Sequence, residues 1–271
     1  MMTEIKRTLT IAGNDSSGGA GLAADLKTFT EFGCYGQVAV TTLVSMDPDN
    51  NWSHNVFPIE LDVVKQQLTT VLASEKPLAA VKTGMIGTVE LVHLVAETIE
   101  LNQLKNVVID PVLVCKGEDE VLNPETADAL REKLVPLADV VTPNLFEAAV
   151  LAQTDPIKSI EDMEEAAKKI HALGAKHIVI KGGKALDDAQ AIDLYYDGET
   201  FEVLATDKVN HGHNHGAGCT FAAAITAGLA NDLLVKDAIH QAKDFVTAAI
   251  ASGFAYNQYV GAVYHSAVRF K

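Results

Sequence analysis

The chain has 271 residues, 48% of them hydrophobic and 21% charged, enough to bury the core of one large globular domain expected to span 1–271. Its formal net charge of −15 excludes a general nucleic-acid footprint, since phosphate backbones attract basic surfaces. No apolar run approaches the roughly 20 residues that cross a bilayer as a helix, so no membrane span is expected.

Cys34, Cys115 and Cys219 form an odd, widely spaced set, and MMTEIKRTLTIAG lacks the apolar core of a secretory signal, which together point to a reducing cytoplasm. In chain order, TLTIAG (8–13) is the first strand, followed by the glycine-rich GNDSSGGAG and the helical pattern AADLKTFTEFG. QVAVTTLVSM (37–46) is the second strand and runs into MDPDN. The next stretch, NNWSHNVFP with Trp52 and His54, reads as an ordinary surface loop rich in Asn and Pro. LAAVKTGM (78–85), NVVIDPVLV (106–114), ADVVTPN (138–144) and HIVIKGG (177–183) are further buried strands. Between them ELVHLVAETIELNQL, ETADALREKLVPLA and SIEDMEEAAKKIHALG place apolar residues at helical spacing. AIDLYYDGETFEVLAT (191–206) carries the DG turn of a hairpin, and the chain from Phe221 onward is largely helical. This alternation implies βαβ units and a mostly parallel sheet covered on both faces. In such sheets ligands collect at the carboxyl ends of the strands, near a topological switch point, and here a glycine- or carboxylate-bearing motif follows every strand. One cleft is therefore expected to receive them all.

The first loop admits three readings. Gly19, Gly21 and Ala24 satisfy G-x-G-x-x-A, with Asp47 where a ribose-binding acid would stand, which would make the chain a nicotinamide-dependent oxidoreductase. Against this, NDSSG lengthens a turn that the dinucleotide fingerprint keeps tight against its strand. Alternatively the glycines only let the helix pack on the sheet, or the loop, with Asp25 one turn into the helix, walls a small-molecule pocket. No Walker loop G-x-x-x-x-G-K-[ST] occurs.

HGAGC (215–219) opens a small-residue helix. Gly216 and Gly218 allow backbone N–H groups to converge, together with Ala217, at the positive end of the helix dipole, which makes an anion hole suited to phosphoryl transfer. A thiol at a helix N-terminus has a lowered pKa, so Cys219 is a candidate proton acceptor; the plain alternative is a glycine turn beside a buried structural cysteine. The spacing of His211, His213 and His215 matches no usual zinc signature, and His215 is read as a partner for phosphates. Asp110 and Glu147 stand at strand ends where they could hold Mg²⁺ directly or through waters. The plain readings are a turn aspartate before Pro111 and a capping box between Asn144 and Glu147.

TIAGNDSSGGAGLAADLKTF, VKTGM, DPVLVCKG, TPNLFEA and HGAGCTFAAAI, in this order, resemble the hydroxymethylpyrimidine and hydroxymethylpyrimidine phosphate kinases of thiamin synthesis, within the ribokinase-like superfamily. The likeness covers nearly the whole chain, and is nearer still to the bacterial pyridoxal kinases of that type. It implies an α/β, ribokinase-like three-layer sandwich with a central mostly parallel sheet, a flap at about 112–122, ATP with Mg²⁺, and a homodimer. The activity implied is phosphorylation of the 5′-hydroxymethyl group of pyridoxal, with pyridoxine and pyridoxamine as further acceptors. Hydroxymethylpyrimidine kinase, a dual-specificity enzyme and a non-catalytic vitamin-binding protein stay open beside it. Position by position, the resemblance puts the aromatic acceptor against Gly13, Asp25, Met46, Met85, Val112 and Cys219. It puts metal and phosphates near Asp110, Asn144 and Glu147, the nucleotide against Lys181, Gly182, Gly183 and Val209, and the anion hole at 216–219. Met46 stands where the pyrimidine kinases typically carry a glutamine, and accepts hydrogen bonds only weakly. Cys115 stands where they have a small flap residue, and a thiolate there could add to the aldehyde of pyridoxal; otherwise it is a small apolar flap residue.

Overall fold

A computed structural model of the chain describes residues 4–113, 124–186 and 189–270. Its internal contacts divide it into two units. One comprises Met1–Ile86, Leu104–Asn106 and His211–Lys271, the other Gly87–Gln103 and Val107–Asn210.

The first unit begins with β1 (Arg7–Asp15), α1 (Gly21–Glu31), β2 (Tyr35–Asp47), β3 (Ser53–Pro58), α2 (Leu61–Leu72) and β4 (Ala80–Thr83). Its strands lie in the order β3-β2-β1-β4. β1 pairs in parallel with β2 on one side and β4 on the other, so the connections leave β1 in opposite directions and create a switch point at its carboxyl end. The stretch 53–58, expected as loop, is instead a strand antiparallel to β2, with Met46 opposite His54 and Leu43 opposite Phe57. Its polar composition suits an edge position, and Pro58, which has no N–H for a ladder, stands at its last residue. α2 adds a helix whose Val64, Leu68 and Val71 are buried.

The second unit holds α3 (Val89–Leu101), β5 (Val107–Ile109), α4 (Pro124–Ala129), β6 (Val140–Val141), α5 (Leu145–Ala152), α6 (Ile160–His171), β7 (His177–Gly183), β8 (Gln190–Tyr196) and β9 (Phe201–Asp207). β5, β6 and β7 are parallel, and β7, β8 and β9 antiparallel, with β8–β9 the expected hairpin. ETADALREKLVPLA does not stay one α-helix. After α4 it widens into a π-turn (Leu130–Leu134) and then tightens into a 3₁₀ turn (Val135–Leu137). Pro136 explains this: it lacks an N–H, and its ring would strike the carbonyl four residues earlier.

The chain then returns to the first unit with α7 (Ala217–Ala230), α8 (Val235–Ala251) and the short ribbon β10 (Phe254–Ala255) and β11 (Gly261–Ala262). α7 is apolar all round, and every residue from Thr220 to Ala230 is buried, as such a helix requires. It packs on α1, β1 and β4 and is covered by α8. Gly228 allows the close approach, since a Cβ there would meet Ala238. Past α8 the tail is ribbon and 3₁₀ turn rather than helix. Among the described residues no helix is long and apolar enough to cross a membrane. A mostly parallel sheet flanked by helices, the expected α/β class, is the observed one.

Candidate active site

In the first unit the candidate residues gather where β1 ends. A bulge between Ala12 and Asn14 leaves Gly13 outside the regular β1–β2 pairing, and a Cβ there would touch Thr42 and the Met85 sulfur. Met85 is held by its carbonyl, which accepts from the Thr41 hydroxyl at 2.6 Å. Met46 is half-buried near the end of β2.

The loop glycines are positions of close approach within the protein. A Cβ on Gly19 would strike the His215 ring, one on Gly216 the Gly19 backbone, and one on Gly21 the Gly13 carbonyl. Gly21 and Gly216 also have φ of +58° and +84°, which L side chains rarely adopt. GNDSSGGAG and HGAGC are therefore packed main chain against main chain. The clasp between them is Asp15, which sequence reasoning missed. Its carboxylate accepts from Ser17 N–H at 2.7 Å, Ser17 Oγ at 2.9 Å and Ala20 N–H at 3.0 Å, and lies 2.6 Å from His215 Nε2. Burial pushes this carboxyl up, but the bonds from His215 and Ser17 outweigh burial and hold it below its ordinary value. Only the local half was readable, as an Asp two residues before a Ser suits an Asx-turn; the bond to His215 was not. His215, read as a phosphate partner, is 6% exposed, with Nε2 engaged by Asp15.

Gly216 is the N-cap of α7, and Cys219 lies in the first turn, half-buried. The Ala217 amide does not face outward as expected, because it donates to Asn214 O at 3.1 Å. The Gly218 amide, at the second helical position, belongs to the turn whose N–H groups an α-helix leaves without an intrahelical acceptor. Asp25, expected against the acceptor, is fully buried: its Oδ2 accepts from Thr10 Oγ1 at 2.6 Å and lies 3.0 Å from Lys82 Nζ, itself fully buried. A buried charge needs such a partner, so Asp25 and Lys82 stand or fall together. Lys82 carried no readable signal, since VKTGM looks like a strand end.

In the second unit Asp110, Asn144, Glu147 and Lys181 converge. Lys181 Nζ donates to Asp110 Oδ1 at 2.8 Å, and Thr142 Oγ1 to the same oxygen at 3.3 Å. The expected capping box is present: Glu147 N–H donates to Asn144 Oδ1, and Asn144 N–H to Glu147 Oε2, both at 2.8 Å. Glu147 is 4% exposed. Burial pushes its carboxyl up, Lys181 pulls it down, Asp110 pushes it up again, and it settles at about 7. Val112 is half-buried and donates to Asp110 O at 2.9 Å. Gly183, at φ +54°, donates to Asp193 Oδ1 at 3.2 Å, and Val209 O accepts from Lys184 Nζ at 3.0 Å. Cys115 and most of the expected flap lie outside the described residues.

The chain is 57% identical over 263 residues, 97% of each chain, to the pyridoxine kinase of Bacillus subtilis strain 168. A Bacillus subtilis pyridoxal kinase crystallised with ADP superposes with a TM-score of 0.95 at 56% identity, covering 99% of this chain and 100% of that one. Staphylococcus aureus pyridoxal kinase with AMP-PCP and pyridoxal gives 0.93 at 49%, covering 98% and 96%. The hydroxymethylpyrimidine/phosphomethylpyrimidine kinase of Bacillus subtilis stands further off, at 37% identity over 91% of this chain and 89% of its own. The model of the phosphomethylpyrimidine kinase family matches residues 15–264, and the chain belongs to that family.

Proposed function

We propose that this chain is an ATP-dependent kinase that phosphorylates the 5′-hydroxymethyl group of pyridoxal, and of pyridoxine and pyridoxamine, in vitamin B6 salvage. The observation that carries the reading is the gap in identity between the two sets of relatives, 57% against 37%. Met46 agrees with it, because a thioether packs on a pyridine ring but is a poor acceptor for a pyrimidine amine. In this reading Gly13, Met46, Met85 and Val112 hold the ring, and Asp25, paired with Lys82, stays buried in the first unit. Lys181, Gly182, Gly183, Val209 and Asn144 hold the nucleotide, with His215 fixing the turn rather than touching phosphate.

Asp110 and Glu147 would hold Mg²⁺, since each brings a buried carboxylate and Mg²⁺ binds through one or two carboxylates. Among the described residues no group of three or more His, Cys, Asp or Glu forms an all-protein cage. When bound, Mg²⁺ neutralises charge on the β- and γ-phosphates. The acceptor oxygen attacks the γ-phosphorus, the bond to the ADP oxygen breaks, and Cys219 takes the hydroxyl proton. The amides at the mouth of α7 receive the charge on the transferring group. The reading further includes a homodimer in the cytoplasm.

Release of ADP measured in parallel with pyridoxal, pyridoxine and hydroxymethylpyrimidine tests the assignment. Preference for hydroxymethylpyrimidine would return the chain to thiamin synthesis. Because a loose transition state depends more on positioning than on base strength, Cys219→Ala is expected to keep measurable turnover, reduced about ten- to a hundredfold. Unchanged kcat would remove Cys219 from the mechanism. Cys115→Ala is expected to depress pyridoxal turnover far more than pyridoxine turnover, because only the aldehyde forms a hemithioacetal; equal losses would refute covalent capture.

A further inference from the structure

The last residues of the chain grip the glycine turn from two sides. His215 N–H donates to Gly261 O at 2.9 Å and Val263 N–H to His215 O at 3.2 Å. Two residues on, His265 is buried, and its Nε2 lies 3.0 Å from Thr220 Oγ1. That hydroxyl donates to Gly216 O at 2.8 Å, where the Thr220 amide also donates at 2.9 Å. A hydroxyl has one hydrogen, so towards His265 it can only accept, and Nε2 must carry the ring proton. Burial, with a smaller push from Lys27, holds the imidazole down at about 4, so the ring is neutral at pH 7 and a single tautomer serves.

Gly216 sits at φ +84° and lacks a Cβ, so the plane of the Gly216–Ala217 peptide is set by its hydrogen bonds: Ala217 N–H on Asn214 O, and the Thr220 amide and hydroxyl on Gly216 O. A rotated peptide would break the bonds on Gly216 O and shift the first turn of α7, which carries the Gly218 and Cys219 amides. We infer that His265 is a positioning residue for the phosphate-receiving turn: its Nε2–H fixes the Thr220 hydroxyl on Gly216 O and thereby locks the peptide plane at the mouth of α7. The inference rests on the phosphoryl-transfer reading of that turn.

Two measurements test it. Imidazole ¹⁵N spectra of the wild-type protein should show His265 protonated at Nε2 and bare at Nδ1, with the Nε2 signal displaced in Thr220→Val. In kinetics, His265→Phe and Thr220→Val should each lower kcat about tenfold with KM for pyridoxal unchanged, and the double variant should be no worse than either. His265→Gln, whose amide can donate, and Thr220→Ser, which keeps the hydroxyl, should recover most of the loss. An Nδ1–H tautomer, multiplicative losses, or a Thr220→Ser variant as poor as Thr220→Val would each overturn the proposal. Should His265→Phe not fold, the Thr220 pair decides alone. A wild-type protein that phosphorylates none of the three acceptors would sink the functional reading, and the spectra would still judge the hydrogen bond.

Discussion

Gly216→Ala is expected to lower kcat for pyridoxal at least about a hundredfold, the scale of losing an oxyanion donor, and to cost about 3 kcal/mol of stability. Two separate effects produce this. The left-handed backbone at φ +84° disfavours any Cβ, and the added methyl would strike the Gly19 main chain, which has no flexible end to swing aside. The GNDSSGG loop would have to retreat, pulling Asp15 from His215. Gly212→Ala, in the same loop, is the control: a Cβ there meets nothing within 4 Å, and the residue should behave as wild type. Urea midpoints and steady-state kinetics on both variants read the result. If Gly216→Ala retained near-normal turnover, the turn would not be the anion site.

The second large effect concerns Glu147, whose folded carboxyl sits at about 7 against an ordinary 4.5. Between these values the folded state holds a proton that the unfolded chain releases, so stability declines as pH rises through the window. The cost is fully borne above pH 7. Glu147→Gln removes the charge while keeping an oxygen able to cap the Asn144 amide. It is expected to be less pH-sensitive than wild type, and the more stable of the two at pH 8. Its Mg²⁺-dependent turnover should nevertheless fall by at least about tenfold, because a carboxylate donor is gone. Urea midpoints at pH 5.5 and pH 8 for both proteins give the test, and a pH-independent difference would refute the buried titration.

The fold class was legible because strand and helix periods alternate cleanly, and HGAGC and TPNLFE could be placed at element ends from composition alone. The edge strand 53–58 was not legible, since an edge needs no apolar alternation and its Asn and His residues imitate a loop. The broken helix after α4 was readable in principle from Pro136. Asp15, Lys82 and His265 escaped for another reason. Their partners, His215, Asp25 and Thr220, are 200, 57 and 45 residues away, and no local pattern encodes a pair that only tertiary packing creates.

The discontinuity of the first unit has a consequence for biosynthesis. Its loop at 15–21 is made early, while His215, Gly216 and the tail that braces them are made after all of the second unit. At about 5–20 residues per second, some tens of seconds separate the translation of Asp15 from that of its imidazole partner. The second unit is nearly continuous in sequence, so all of it is made before His211. The glycine turn at 215–219 gains its contacts with Gly261, Val263 and His265 only after those residues have been made, so a chain cut before Gly261 would carry an unbraced turn.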